Sequence, residues 1–244
     1  MKITTIGFWG AYPAQNSATS CYLIEDVGYS LLVDCGSGAL SRLQGYISLN
    51  SIDAVILSHY HHDHVADVGV LQHARLVQTK LGHIQDKLPI YAHKEDEVGF
   101  GELSSSYTEA CPYDPDTTIS VRPFTISFLK TVHPVPCYGM KITNGKHTIV
   151  YTADTAYQKE WVDFSEGADL LITDTNFYKG MDAAQAGHMT SEEAASIAAD
   201  ADVNELWLSH LPHFGNHSRL KQEAADVFHG EVKLASEGLR WSSE

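Results

Sequence analysis

The residues Asp53-Ala54-Val55-Ile56-Leu57 make a compact apolar run of the kind carried by a strand buried on both faces. Ser58-His59-Tyr60-His61-His62-Asp63-His64 follows without a break. In extended chain, residues i and i+2 project to the same side, so His59 and His61 can chelate one cation together. Asp63 and His64 come where the chain turns into the next helix, within reach of a second cation beside the first. A solvated loop or an expression tag is also rich in imidazole. A tag, however, sits at a terminus and is not preceded by Ala-Val-Ile-Leu.

Three later positions repeat the pattern of an apolar strand followed by a ligand. Ile126–Val132 ends at His133, Thr148–Thr152 ends after Ala153 at Asp154, and Leu206–Ser209 ends at His210. A lone histidine after a strand is ordinarily just hydrogen-bonded. Four strand ends in one chain, all carrying His or Asp, point to metal. The 14 histidines contrast with 4 cysteines, and Cys21, Cys35, Cys111 and Cys137 form no C-x-x-C pair. Free thiols in a reducing cytoplasm are the plain reading.

Among 244 residues, 16 basic and 31 acidic side chains leave a net charge of −15, while 43% hydrophobic and 19% charged content is that of a globular chain. Such a balance argues against a long nucleic acid as partner, because phosphate backbones need clustered Lys and Arg. A small anion held by metal remains compatible. Met1–Gly7 reads as a strand without a signal peptide's apolar stretch, and no apolar run approaches the ~18 residues of a membrane span. The expected setting is cytoplasmic, with no membrane partner.

Strands are expected at Ile3–Phe8, Ser20–Ile24, Tyr29–Val33, Asp53–Leu57 and Pro89–Ala92, with helices at Ala39–Ile47 and Asp67–Gln78. Gly99–Thr118, rich in Ser, Gly, Pro and Tyr, reads as a surface loop able to overhang a site. Further strands are expected at Phe124–Thr131, Tyr138–Thr143, His147–Thr152, Asp169–Thr173, Glu205–Ser209 and Val232–Ala235, with an Asn144-Gly145 hairpin turn. Thr190-Ser191-Glu192-Glu193 has capping-box spacing and opens a helix to about Ala201, and Ser218–His229 is a last helix. The elements suggest one domain over 1–244, built of two α/β halves, roughly 1–120 and 121–244.

The ordered set His59-x-His61-x-Asp63-His64, His133, Asp154 and His210, beginning at the Asp34-Cys35-Gly36 turn, resembles the metallo-β-lactamase superfamily over most of the chain. That resemblance implies an α/β (α+β) fold, a four-layer αβ/βα sandwich with a dinuclear site at one sheet edge. It assigns His59, His61 and His133 to a first metal, Asp63, His64 and His210 to a second, and Asp154 to both. Two divalent ions about 3.5–4 Å apart make a bridging hydroxide available near neutral pH. With nitrogen and oxygen ligands, zinc is favoured, and manganese or iron also fits.

Within the superfamily, Gly187-His188-Met189-Thr190-Ser191 and Ser209-His210-Leu211 are similar to segments of the ribonuclease Z and phosphodiesterase branch. This likeness makes His188 the proton donor to the leaving group, near a helix N-terminus that favours an anion. It counts Asp63 with the catalytic residues, and sets Asp174 where the branch has a glutamate supporting that histidine. The branch's tRNA-processing members carry a long basic arm between the third histidine and the bridging aspartate. Here His133 and Asp154 are 21 positions apart, room for a hairpin only. His62 stands where the branch usually has glycine and is left out of the metal shell. Ser17–Ser20 reads as an early polar loop beside the pocket or a plain turn; His213 and His217 either touch substrate or cap the final helix.

The function implied is a dinuclear hydrolase of a small phosphodiester or nucleotide. Hydrolysis of a lactone, thioester or β-lactam is the alternative chemistry; tRNA 3′-end cleavage and a non-catalytic metal-binding role rank lower, and oxygen reduction at a di-iron site lower still. Relatives of this branch often dimerise, which is the only reason to expect a homodimer.

Overall fold

Short apolar runs separated by turns build two seven-stranded mixed sheets, each within its own compact unit. The computed structural model describes residues 1–243. One unit comprises residues 1–114 with the segment from Ser236 onward; the other is Pro115–Ala235.

In the first unit, β1 (Lys2–Gly7), β2 (Cys21–Asp26) and β3 (Tyr29–Val33) form an antiparallel meander. Beyond it β4 (Ala54–Ile56), β5 (Leu88–Ala92) and β6 (Thr108–Pro112) pair in parallel, beginning on β3. The helices are α1 (Ala39–Leu43), α2 (His62–Val65), α3 (Val68–Lys80) and α4 (Glu97–Glu102). Leu40 and Leu43 of α1 and Val68 and Leu71 of α3 share one buried cluster with Leu23, Leu32, Val55 and Ile90 of the strands. Each such side chain contributes about 1.5–3 kcal/mol on burial, which is why three residues suffice for β4. β1 and β3 both oppose β2, so β1, β3, β4 and β5 point the same way. Their carboxyl ends deliver the loop of Ala11, Asp34, the His59–His64 segment and His93 to one edge of this sheet.

The second unit has the same plan. β7 (Ile119–Val121), β8 (Phe124–Lys130), β9 (Tyr138–Thr143) and β10 (Thr148–Tyr151) are antiparallel. α5 (Glu160–Ser165) precedes β11 (Leu170–Asp174), α6 (Ser191–Asp200) precedes β12 (Glu205–Ser209), and α7 (His217–Ala225) precedes β13 (Glu231–Leu234). β10 to β13 pair in parallel. Since β8 and β10 both oppose β9, the strands β8, β10, β11 and β12 end on one edge, where His133, Asp154, Asp174 and His210 leave the sheet. Gly139 sits in β9 because a Cβ there would collide with the buried Trp161 indole of α5. A last strand, β14 (Arg240–Ser242), pairs antiparallel with β1 and belongs to the first sheet.

Two expectations need correction. Gly99–Thr118 is not one loop: α4 ends inside it and β6 runs as the outer parallel strand. Its Thr-Glu-Ala-Cys-Pro sequence hides a strand, because an edge position tolerates exposed polar residues and a terminal proline. The two predicted helices Ala39–Ile47 and Ser218–His229 stop early, at Leu43 and Ala225. Strands β7 and β14 and helix α5 carry no strong periodic signal in the sequence.

Candidate metal centre

In the first unit, everything near the histidine motif is organised by Asp34. This residue follows β3 with a φ of 55°, a left-handed turn that a non-glycine residue adopts at a cost on the order of 1 kcal/mol. Its buried carboxylate accepts from Ser58 N (2.8 Å), from Ser58 Oγ (2.9 and 3.0 Å) and from His64 Nδ1 (2.7 Å). The Ser58 hydroxyl gives its one hydrogen to Asp34, so toward His59 Nδ1, 3.0 Å away, it accepts. Both His59 and His64 therefore carry their proton on Nδ1, and the lone pair of each lies on Nε2. A histidine whose far nitrogen is held by a carboxylate or hydroxyl is the usual form of a metal ligand.

His61 is the residue before α2, in extended backbone, and its ring lies 4.7 Å from that of His59. One atom from each of the two rings falls within 4.8 Å of the other. The turn of α2 then brings round Asp63, whose Oδ2 accepts from Ala11 N (2.8 Å) and stands 3.8 Å from His64 Nε2. Gly36 makes this possible: a Cβ there would run into the Asp63 carbonyl oxygen and the Thr19 hydroxyl. His62 is exposed. Thr19 and Ser20 are buried, while Ser17 Oγ accepts from the Trp9 indole at 2.9 Å.

In the second unit, His133 donates from Nδ1 to the Gly187 carbonyl (3.1 Å), which turns its Nε2 to within 3.9 Å of Asp154 Oδ2. The other oxygen of Asp154 lies 3.4 Å from His210 Nε2. One buried carboxylate thus addresses two imidazoles with separate oxygens. Ala153, just before Asp154, and His210 itself have φ values of 53° and 51°; the His210 carbonyl is anchored by Asn176 Nδ2 at 2.8 Å. Burial lowers the His133 pKa more than Asp154 raises it.

Asp174, the last residue of β11, accepts from Thr155 N (3.1 Å), Asn176 N (3.2 Å) and His188 Nδ1 (2.7 Å), with His210 Nδ1 3.5 Å from its other oxygen. The shorter aspartate therefore does reach His188. Burial alone pushes the Asp174 carboxyl up, but the two imidazoles outweigh it and hold the group below the usual carboxylate range. Burial pulls His188 down, and the Asp174 charge more than restores it, so its pKa is raised. The His188 ring stacks on His210 (centroids 5.1 Å apart, planes at 26°) and meets His133 edge-on at 5.5 Å.

His188 lies two residues ahead of the helix cap. Thr190 and Glu193 form a reciprocal capping box, and Glu192 adds a second acid to the first turn of α6. The start of that helix is satisfied by the protein's own groups, so the anion affinity expected of it there is offset. His217 opens α7 and its Nε2 donates to the Pro212 carbonyl at 2.7 Å; the cap of α7 is Asn216. His213 is exposed. Asp34, Ser58 and Gly187 are the functional positions that sequence reasoning did not assign. Asp34 alone left a signal, as an acid at a strand end before a glycine turn.

These donors suit a divalent metal. Around a tetrahedral zinc with bonds of about 2.0–2.2 Å, neighbouring ligand atoms stand about 3.3 Å apart. The gaps of 3.4, 3.8 and 3.9 Å exceed the about 2.7–3.2 Å of a hydrogen bond between nitrogen and oxygen and approach that spacing.

Residues 29–211 match the family described as the β-lactamase superfamily domain. The chain belongs to the metallo-β-lactamase superfamily. It is 53% identical over 242 residues to the probable metallo-hydrolase YhfI of Bacillus subtilis, covering 99% of each chain. The crystal structure of that metallo-β-lactamase-fold protein superposes with a TM-score of 0.98 over 98% of each chain. The chain is also 25% identical to a ribonuclease Z of Metallosphaera sedula, over 93% of this chain and 94% of the other. A diphosphatase of the PhnP family shares the metallo-β-lactamase fold, with a TM-score of 0.80 at 16% identity over 100% of this chain and 98% of the other.

Proposed function

We propose that the chain is a dinuclear metal-dependent hydrolase acting on a small phosphodiester or nucleotide. His59, His61 and His133 would hold one ion, Asp63, His64 and His210 the other, and Asp154 both. Zinc suits the donor set best; manganese and iron are compatible. When bound, such ions supply a water acidic enough to attack near neutral pH and polarise the phosphoryl oxygen.

The observation that carries the phosphodiester reading is the pairing of His188 with Asp174 at 2.7 Å, beside His133 and His210. His188 is surplus to the proposed ligand set, and an imidazole fixed through Nδ1 is left with Nε2 to deliver a proton. In this role it protonates the leaving oxygen as the P–O bond breaks, with Asp174 holding the ring and stabilising its charge. Small size is supported by the β9–β10 hairpin, which accounts for most of the chain between His133 and Asp154, and by the net charge of −15. Among the described residues no helix is long and apolar enough to cross a membrane. A cytoplasmic setting belongs to the same proposal. Burial pushes the Cys21 and Cys35 thiols up and keeps them unreactive.

The test is hydrolysis of bis(p-nitrophenyl) phosphate by the zinc- or manganese-loaded protein, alongside His188→Ala and Asp63→Ala. His188→Ala is expected to lower kcat by about 10²- to 10⁴-fold with its metal content retained. Equal rates in all three proteins would sink the assignment.

A further inference from the structure

His188 is in contact with the first of a series of neighbouring aromatic rings. The Phe177 ring lies 6.1 Å from that of His188 at a shallow 30°, and the Phe214 ring lies 6.3 Å from that of Phe177. Phe214 in turn contacts Tyr178 (5.9 Å) and is 45% exposed. These rings lead to a hollow of about 290 Å³ walled by Tyr178, Met181, Phe214 and Gly215, with Lys179 and Arg219 at its rim. Its shape is set locally: Tyr178 Oη donates to the Phe214 carbonyl at 3.1 Å, and a side chain at Gly215 would strike the Tyr178 ring. Phe214 and Met181 are among the few large apolar side chains left exposed in this unit.

The charges at the rim cancel. Lys179 pairs with Glu192 at 2.5 Å, and Arg219 with Glu223 at 2.6 Å while its guanidinium covers the Tyr178 ring. A second phosphate would gain little here. A flat, uncharged, polarisable ring would gain most, because stacking needs only an aromatic face. By contrast, the hollow of about 520 Å³ lined by Tyr60 and His62 has Asp96 and Glu102 in its wall, which disfavours any part of an anionic substrate.

The geometry points to this hollow as a nucleobase subsite, with Phe214 as the stacking platform and Phe177 spacing it from His188. The proposal rests on the phosphodiesterase reading and narrows its substrate to nucleotides.

The experiment compares calorimetric binding of adenosine 5′-monophosphate and ribose 5-phosphate to the zinc-loaded full chain. The two ligands share sugar and phosphate and differ by the base alone. The wild type is expected to bind the nucleotide about 5- to 150-fold more tightly, the range that one base–aromatic stack provides. Phe214→Ala should bring that ratio close to one, and Phe214→Trp should keep it. Equal affinities in the wild type, or a ratio untouched by Phe214→Ala, would overturn the subsite alone. Binding of neither ligand would overturn the phosphodiesterase reading and the subsite with it.

Discussion

Asp34→Asn isolates the group that organises the histidine motif. Asparagine tolerates the φ of 55° at this position, so the backbone is not the target. Three donors, Ser58 N, Ser58 Oγ and His64 Nδ1, converge on the two oxygens of Asp34. An amide offers one oxygen, and its NH₂ must then confront a donor. Leaving a buried donor unmet costs about 1–3 kcal/mol, or roughly 2–12 °C in Tm for a chain of this size. His64 can relieve the clash by moving its proton to Nε2 and accepting at Nδ1, which takes the lone pair away from the metal. Ser58, released from Asp34, no longer holds the His59 tautomer. Apparent zinc affinity should fall by about 10- to 100-fold at both steps of a competition titration against a chromophoric chelator. Ser58→Ala removes the partner of His59 and one donor to Asp34 but leaves the His64–Asp34 contact in place, so it should weaken one step and spare the other. Zinc affinity within twofold of wild type in Asp34→Asn would refute the idea that this carboxylate sets the ligand tautomers.

Other expectations follow from the same geometry. Gly36→Ala forces a methyl against the Asp63 carbonyl, so it should destabilise the fold by about 1–3 kcal/mol in chemical denaturation and reduce metal content together. Glu223 accepts from Ser191 Oγ, Lys179 N and Arg219 Nε; burial raises its carboxyl, but these hydrogen bonds hold it below the ordinary range. A depressed carboxyl stabilises above its unfolded-state pKa and loses that contribution as pH falls through the folded value. Glu223→Gln should therefore cost about 1–2 kcal/mol at pH 7, with the deficit shrinking in acid, as followed by urea unfolding across pH. A pH-independent deficit would show that shape, not charge, matters there.

The parts of the site written as local sequence were legible. His59 to His64 occupy one short segment after an apolar run, and His133, Asp154 and His210 each close a strand, so spacing alone marks them. The role of Asp34 was hidden, because its partners lie 24 and 30 positions away and only the parallel pairing of β3 with β4 brings them alongside. Gly187 acts through its carbonyl, which leaves no trace in side-chain chemistry. The pairing of Asp174 with His188 depends on a reach that only coordinates define. In the fold, the central strands were read closely because both faces are buried. β6, β7 and β14 escaped since edge and near-edge strands answer to pairing more than to hydrophobic pattern.

The count of metal ions per chain tests the central claim most directly. Metal-free protein equilibrated with excess zinc, dialysed and measured by elemental analysis should hold two ions per chain, and Asp154→Ala should hold fewer. A wild-type chain that retains no more than one ion, whatever the excess supplied, would contradict a dinuclear centre.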